Sequence, residues 1–107
     1  MSSTKDNAIQ KAKQLIGLLK SNGIDVSEAY LFGSAALNEG SKYSDIDIAI
    51  VSDKFTGVPF YDVRKISKFR RSVDLRLEVH PFSSSDILDD PPLFFVNIKR
   101  KGIPVVL

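Results

Sequence analysis

Apolar residues recur at helical spacing near the start of the chain. Ile9, Ala12, Ile16 and Leu19 mark the stripe, Leu15 and Leu18 widen it, and Lys11, Lys13 and Lys20 lie on the other side. This period predicts an amphipathic helix packed on a sheet. It stops at Ser21-Asn22-Gly23, where Gly23 can take the left-handed conformation of a helix end. The run AYLF at residues 29–32 is short, aromatic and apolar, as a buried first strand should be. Gly33 then turns the chain. A short helical segment over Ala35, Ala36 and Leu37 would aim its first N–H groups back toward Gly33 and Ser34, although Gly-Ser after a strand is also an ordinary turn.

Residues 45–51 alternate as a strand, with Ile46, Ile48 and Ile50 on one face and Asp45, Asp47, Ala49 and Val51 on the other. After a loop, residues 60–71 predict a helix with Val63, Ile66 and Phe69 buried. Its remainder is strongly basic through Arg64, Lys65, Lys68, Arg70 and Arg71, a solvated face or a phosphate contact. Residues 72–79, SVDLRLEV, predict a third strand: Val73, Leu75, Leu77 and Val79 face one way, and Asp74, Arg76 and Glu78 the other. Asp89 or Asp90 is expected to cap a last helix started by Pro91 or Pro92, with Leu93, Phe94 and Val96 as its apolar surface and Gly102 as its end. The closing GIPVVL reads as an edge strand or tail, since Pro104 cannot donate to a ladder.

Composition narrows the classes without naming one. A chain of 107 residues is expected to form one domain with one core, over residues 1–107. A net charge of +2 with a pI of 8.9 neither demands nor excludes a nucleic-acid partner. The absence of cysteine removes disulfides, thiolate zinc sites and thiol nucleophiles. No apolar run approaches the roughly 20 residues of a membrane span, and the polar start lacks a signal-peptide core, so a cytoplasmic protein with no membrane partner is expected.

Chemistry enters with the acids. On a strand, Asp45 and Asp47 place two carboxylates on one face about 6 to 7 Å apart, although Asp45 could instead cap the turn before the strand. The connection through the second helix is long enough for a parallel crossover, which would start the third strand at the same edge. Asp74 is then the expected third carboxylate, and Glu78 falls roughly 13 Å further along. Gly33 and Ser34 reach this edge only if the first strand runs antiparallel to the second, so the sheet should be mixed. Three carboxylates beside a phosphate-holding turn suit Mg²⁺, or Mn²⁺, and phosphoryl or nucleotidyl transfer. His80, the lone histidine, is taken as a strand-end residue rather than a base.

Gly33-Ser34, ten intervening residues, Asp45-Ile46-Asp47 and then Asp74 in VDLRLEVHPF resemble the signature of the minimal nucleotidyltransferases of the DNA polymerase β-like superfamily. The resemblance implies an α/β (α+β) fold, a small mixed sheet flanked by helices. It implies that Gly33, Ser34 and Ser44 hold the triphosphate of ATP, that Asp45 and Asp47 bind two Mg²⁺ ions, and that Asp74 binds the catalytic ion and helps deprotonate the acceptor. Leu37 and Asn38 replace a basic residue and a glycine common in the pattern. Larger relatives carry extra domains for the acceptor, so a partner is expected to present it. In this family that partner is usually a helical HEPN-domain protein, the pair resembling a toxin–antitoxin system in which the nucleotidyltransferase adenylylates and silences the toxin. Transfer to a small molecule or RNA end, and a non-catalytic binding module, are the alternatives.

Overall fold

In this computed structural model, residues 4–36 and 44–106 are described. The first helix, α1 (Thr4–Ser21), buries Ala8, Ala12, Leu15, Ile16 and Leu19, the three-and-four spacing that keeps side chains on one face. It ends as its sequence predicts. Gly23 sits at φ 84°, and the Ile24 N–H donates to the Leu19 carbonyl at 2.9 Å, closing the last turn.

Strand β1 (Glu28–Phe32) leads into a single 3-10 turn at Gly33–Ala35, and β2 (Ile46–Ser52) returns antiparallel to β1 with Phe32 opposite Asp47. Helix α2 (Pro59–Val73) carries the chain back, and β3 (Leu77–Ser83) runs parallel to β2. Helices α3 (Ser84–Leu88) and α4 (Leu93–Lys101) follow, and β4 (Ile103–Pro104) pairs antiparallel with β1. The four strands form one sheet in the order β3-β2-β1-β4, mixed as expected. No described helix is long and apolar enough to cross a membrane.

The two faces of the sheet differ. Ala29, Leu31, Ile46, Ile48, Ile50, Leu77 and Val79 pack against α1 and Ile66 of α2, with Phe69 and Val73 alongside. On the other face, Tyr30, Ala49 and Val51 meet Phe95 and Ile98 of α4, and Phe32 and Phe82 pack at the margin. Asp47, Glu78 and His80 share this second face by strand alternation.

Three expectations need correction. First, α2 runs on to Val73 and the third strand begins only at Leu77. Alternation in SVDLRLEV mimics a strand, but Ile66, Phe69 and Val73 recur at steps of three and four and form the core-facing side of a helix. Asp74 then turns the chain by accepting the Arg76 N–H at 2.8 Å, a local side-chain turn that leaves Leu75 73% exposed. Second, Val63 is exposed, because Asp62 takes the inward position. Asp62 is 1% exposed, and its carboxylate accepts the Thr56 N–H at 2.7 Å, the Thr56 hydroxyl at 3.0 Å and the Gly57 N–H at 3.0 Å. Third, α4 has Pro92 as its N-cap with no side-chain cap bond, so neither Asp89 nor Asp90 caps it. It buries Phe95 and Ile98 and leaves Leu93, Phe94 and Val96 exposed. The short α3 went unanticipated although Ser83-x-x-Asp86 is a capping pattern: Ser83 Oγ accepts the Asp86 N–H at 3.2 Å.

Candidate active site

The antiparallel pairing of β1 and β2 brings the Gly33 turn against the start of β2. Gly33 has φ 74°, and a Cβ built there would lie 2.7 Å from Asp47 Oδ2. Glycine is thus required twice over, for the left-handed backbone and for the approach of the carboxylate. Ser34 lies half-buried inside the same turn, and Ser44 is half-buried one residue before Asp45.

The parallel register sets Asp47 opposite Glu78 and Ala49 opposite His80. One ligand atom each from Asp47, Glu78 and His80 falls within 4.8 Å of the other two. His80 Nε2 stands 3.3 Å from Asp47 Oδ1, so an Nε2–H imidazole donates to and orients that carboxylate. The ring is held from its other sides by Phe32 at 5.0 Å and Phe94 at 5.8 Å, both edge to face. Asp45, expected to share the ion with Asp47, is exposed just ahead of β2 and is not part of this cluster; it lines a cleft with Val63 and Ile66 of α2, Leu77 and Glu78.

Asp74, expected as the third acid of this group, is engaged elsewhere. Its Oδ1 accepts Arg76 Nε at 3.1 Å and its Oδ2 accepts Arg76 Nη2 at 2.9 Å, while Lys11 Nζ of α1 lies 3.9 Å away. The Arg76 guanidinium, followed by its backbone N–H and the charges of Arg76 and Lys11, holds the Asp74 carboxyl below the usual range against the opposing effect of burial. The bond between them raises the Arg76 pKa in turn. The carboxylate faces α1, on the helix-covered side, whereas Asp47 and Glu78 occupy the opposite face. The start of β3 at Leu77 rather than residue 72 thus places Glu78, and not Asp74, opposite Asp47. His80 is likewise part of the cluster rather than a bystander at a strand end. The sequence signal for both was parity: Glu78 and His80 share a face with Asp47 in any in-register parallel pairing that starts at Leu77. Leu37 and Asn38 lie outside the described residues.

A family model for the nucleotidyltransferase domain matches residues 12–99. The chain belongs to the nucleotidyltransferase-domain family. Among solved structures it is similar to a protein from Sulfolobus solfataricus described as a nucleotidyltransferase, with a TM-score of 0.66 and 18% identity over 94% of this chain and 81% of that one. At that identity the likeness concerns the fold. No curated protein matches the chain in sequence. For this nucleotidyltransferase domain the matched span covers Gly33, Ser34, Ser44, Asp45, Asp47, Asp74, Glu78 and His80 alike.

Proposed function

We propose that this chain transfers a nucleoside monophosphate, AMP from ATP, to a hydroxyl on a partner protein. The observation that carries the proposal is the Asp47–Glu78–His80 cluster lying against the positive-φ turn at Gly33. The two carboxylates of this cluster suit a hard divalent ion, Mg²⁺ or Mn²⁺, while the His80 nitrogen is engaged with Asp47. Asp47 and Glu78 would hold it, with Asp45 at the mouth of the neighbouring cleft and His80 orienting Asp47. Such an ion, when bound, neutralises phosphate charge and makes an acceptor hydroxyl more acidic.

The residues of the chain supply the remainder. The Gly33-Ser34 turn offers backbone N–H groups and a hydroxyl to the triphosphate, and Ser44 can add a second hydroxyl. As the acceptor oxygen bonds to the α-phosphorus, the bond to the bridging oxygen breaks and pyrophosphate leaves. The acceptor proton passes to a carboxylate of the cluster or to water.

Exposed apolar side chains support a protein acceptor, which we take to be a helical protein of the HEPN type: Leu88 of α3 and Leu93 of α4 are 80% and 74% exposed. The RNA-end alternative draws less support. Arg64, Lys65, Lys68 and Arg71 are exposed on α2, whose packed side covers the opposite face of the sheet from the cluster.

The test is ATP labelled at the α-phosphate, incubated with Mg²⁺, this protein and the purified partner. Label on the partner that is lost with Asp47→Asn and Glu78→Gln is the expected result. Tight association with no label transfer, unaffected by those changes, would instead make the chain a binding module. Label transferred to RNA or a small acceptor without any protein partner would replace the acceptor class.

A further inference from the structure

Beyond the Asp47–Glu78–His80 cluster, the same face holds a hollow of about 310 Å³ lined by Phe32, Ala36, Phe94 and Ile98, with Asn97 and Lys101 as its polar residues. We propose that this hollow seats the nucleobase of the nucleotide donor, an inference that rests on the nucleotidyl-transfer proposal above. Continuity with the candidate active site comes first. Gly33 forms part of the hollow and also abuts Asp47, so one turn serves both. The Phe94 ring stands 5.8 Å from His80 and 5.9 Å from Phe32, which makes it the partition between the cluster and the hollow. A donor whose phosphates lie along Gly33 carries its base on the same molecule, a ribose away from the α-phosphate.

Chemistry selects the occupant. A volume near 300 Å³ lies at the lower end of the roughly 300–1,000 Å³ of small-molecule pockets, and the walls are apolar with few polar groups, as such pockets are. Phe94 is 51% exposed, so a flat ring can lie on it. Asn97 offers both a donor and an acceptor, the two functions a base edge requires. Lys101 places a cation beside a polyanionic ligand. An aliphatic side chain from an acceptor protein would use neither Asn97 nor Lys101.

The test compares equilibrium binding of ATP and of inorganic tripolyphosphate, both in excess Mg²⁺, to the wild type, Phe94→Ala and Asn97→Ala, with circular dichroism as the check on folding. Tripolyphosphate carries the phosphates without the base. The wild type is expected to bind ATP at least tenfold more tightly than tripolyphosphate. Phe94→Ala should weaken ATP about tenfold and tripolyphosphate by less, since the ring also steadies His80, while Asn97→Ala should weaken ATP about threefold and leave tripolyphosphate binding unchanged. Asn97 is exposed, and its variant keeps the test available should Phe94→Ala fail to fold. Unchanged ATP binding in the folded variants, or equal losses for both ligands, overturns the base site while leaving the triphosphate turn intact. A wild type that binds neither ligand overturns the nucleotidyl-transfer proposal and this one together.

Discussion

At the scale of single residues, Gly33 and Asp74 carry opposite lessons. Gly33 is constrained by its φ of 74° and by the Asp47 carboxylate 2.7 Å from where a Cβ would sit. Gly33→Ala should therefore cost about 1–2 kcal/mol in a denaturant titration and displace Asp47, so that divalent-ion affinity falls with stability. Asp74 is tied to Arg76 in a local turn. Its folded pKa is lowered by Arg76, so its contribution is present above the unfolded carboxylate pKa and is lost as pH falls through the lower folded value. Asp74→Asn should lower stability by about 1 kcal/mol at neutral pH, flatten the acid limb of the stability profile, and leave nucleotide transfer in place. Tyr30 shows the reverse sign. Burial, then the bond to Glu28, pushes its hydroxyl up to about 12, favouring the neutral native form. Stability linked to it is complete below the ordinary tyrosine pKa and declines as pH rises through about 12. Tyr30→Phe should remove that alkaline decline, as followed by circular dichroism against pH.

At the scale of elements, α2 and β3 decide where the acids meet. The loop before α2 is tied to the helix by Asp62, whose buried carboxylate satisfies three donors. Asp62→Ala strands the Thr56 and Gly57 N–H groups and should cost about 2–3 kcal/mol in thermal or denaturant unfolding. Strands β1 and β2 and helix α1 were legible in the sequence because each is a clear apolar or alternating run, with turn residues such as Gly23 and Gly33 at their ends. The start of β3 was not, because Val73-Asp74-Leu75-Arg76 satisfies both a strand alternation and the end of a helical stripe. Only packing resolves it. Val73 joins Ile66 and Phe69 against the core, and Asp74 spends its carboxylate on the Arg76 turn. The outer edge of β3 is also guarded. Arg76 O accepts from β2, so the Leu77 carbonyl points outward, where Arg70 Nη1 donates to it at 3.1 Å. Alternation puts Pro81 at another outward position, where the missing N–H breaks no ladder bond and blunts strand addition.

At the scale of the whole molecule, one mixed sheet separates two tasks. The face under α1 and α2 holds most of the core, including Leu15, Leu19, Ile48 and Leu77 at 0–1% exposure. The other face gives up part of its coverage to leave Asp47, Glu78 and His80 accessible beside the α4 aromatics. The mixed topology was legible because Gly33 and the aspartates could meet only with an antiparallel first pair. Which acid stands opposite Asp47 was not legible, since it depends on where β3 starts. The central claim is that the ion site joins Asp47 to Glu78 and excludes Asp74. Titration of Mn²⁺ followed by electron paramagnetic resonance tests it without any acceptor, on the wild type, Glu78→Gln and Asp74→Asn. The account predicts that Asp74→Asn binds Mn²⁺ like the wild type while Glu78→Gln binds about tenfold or more weakly; loss of binding in Asp74→Asn with retention in Glu78→Gln would contradict it.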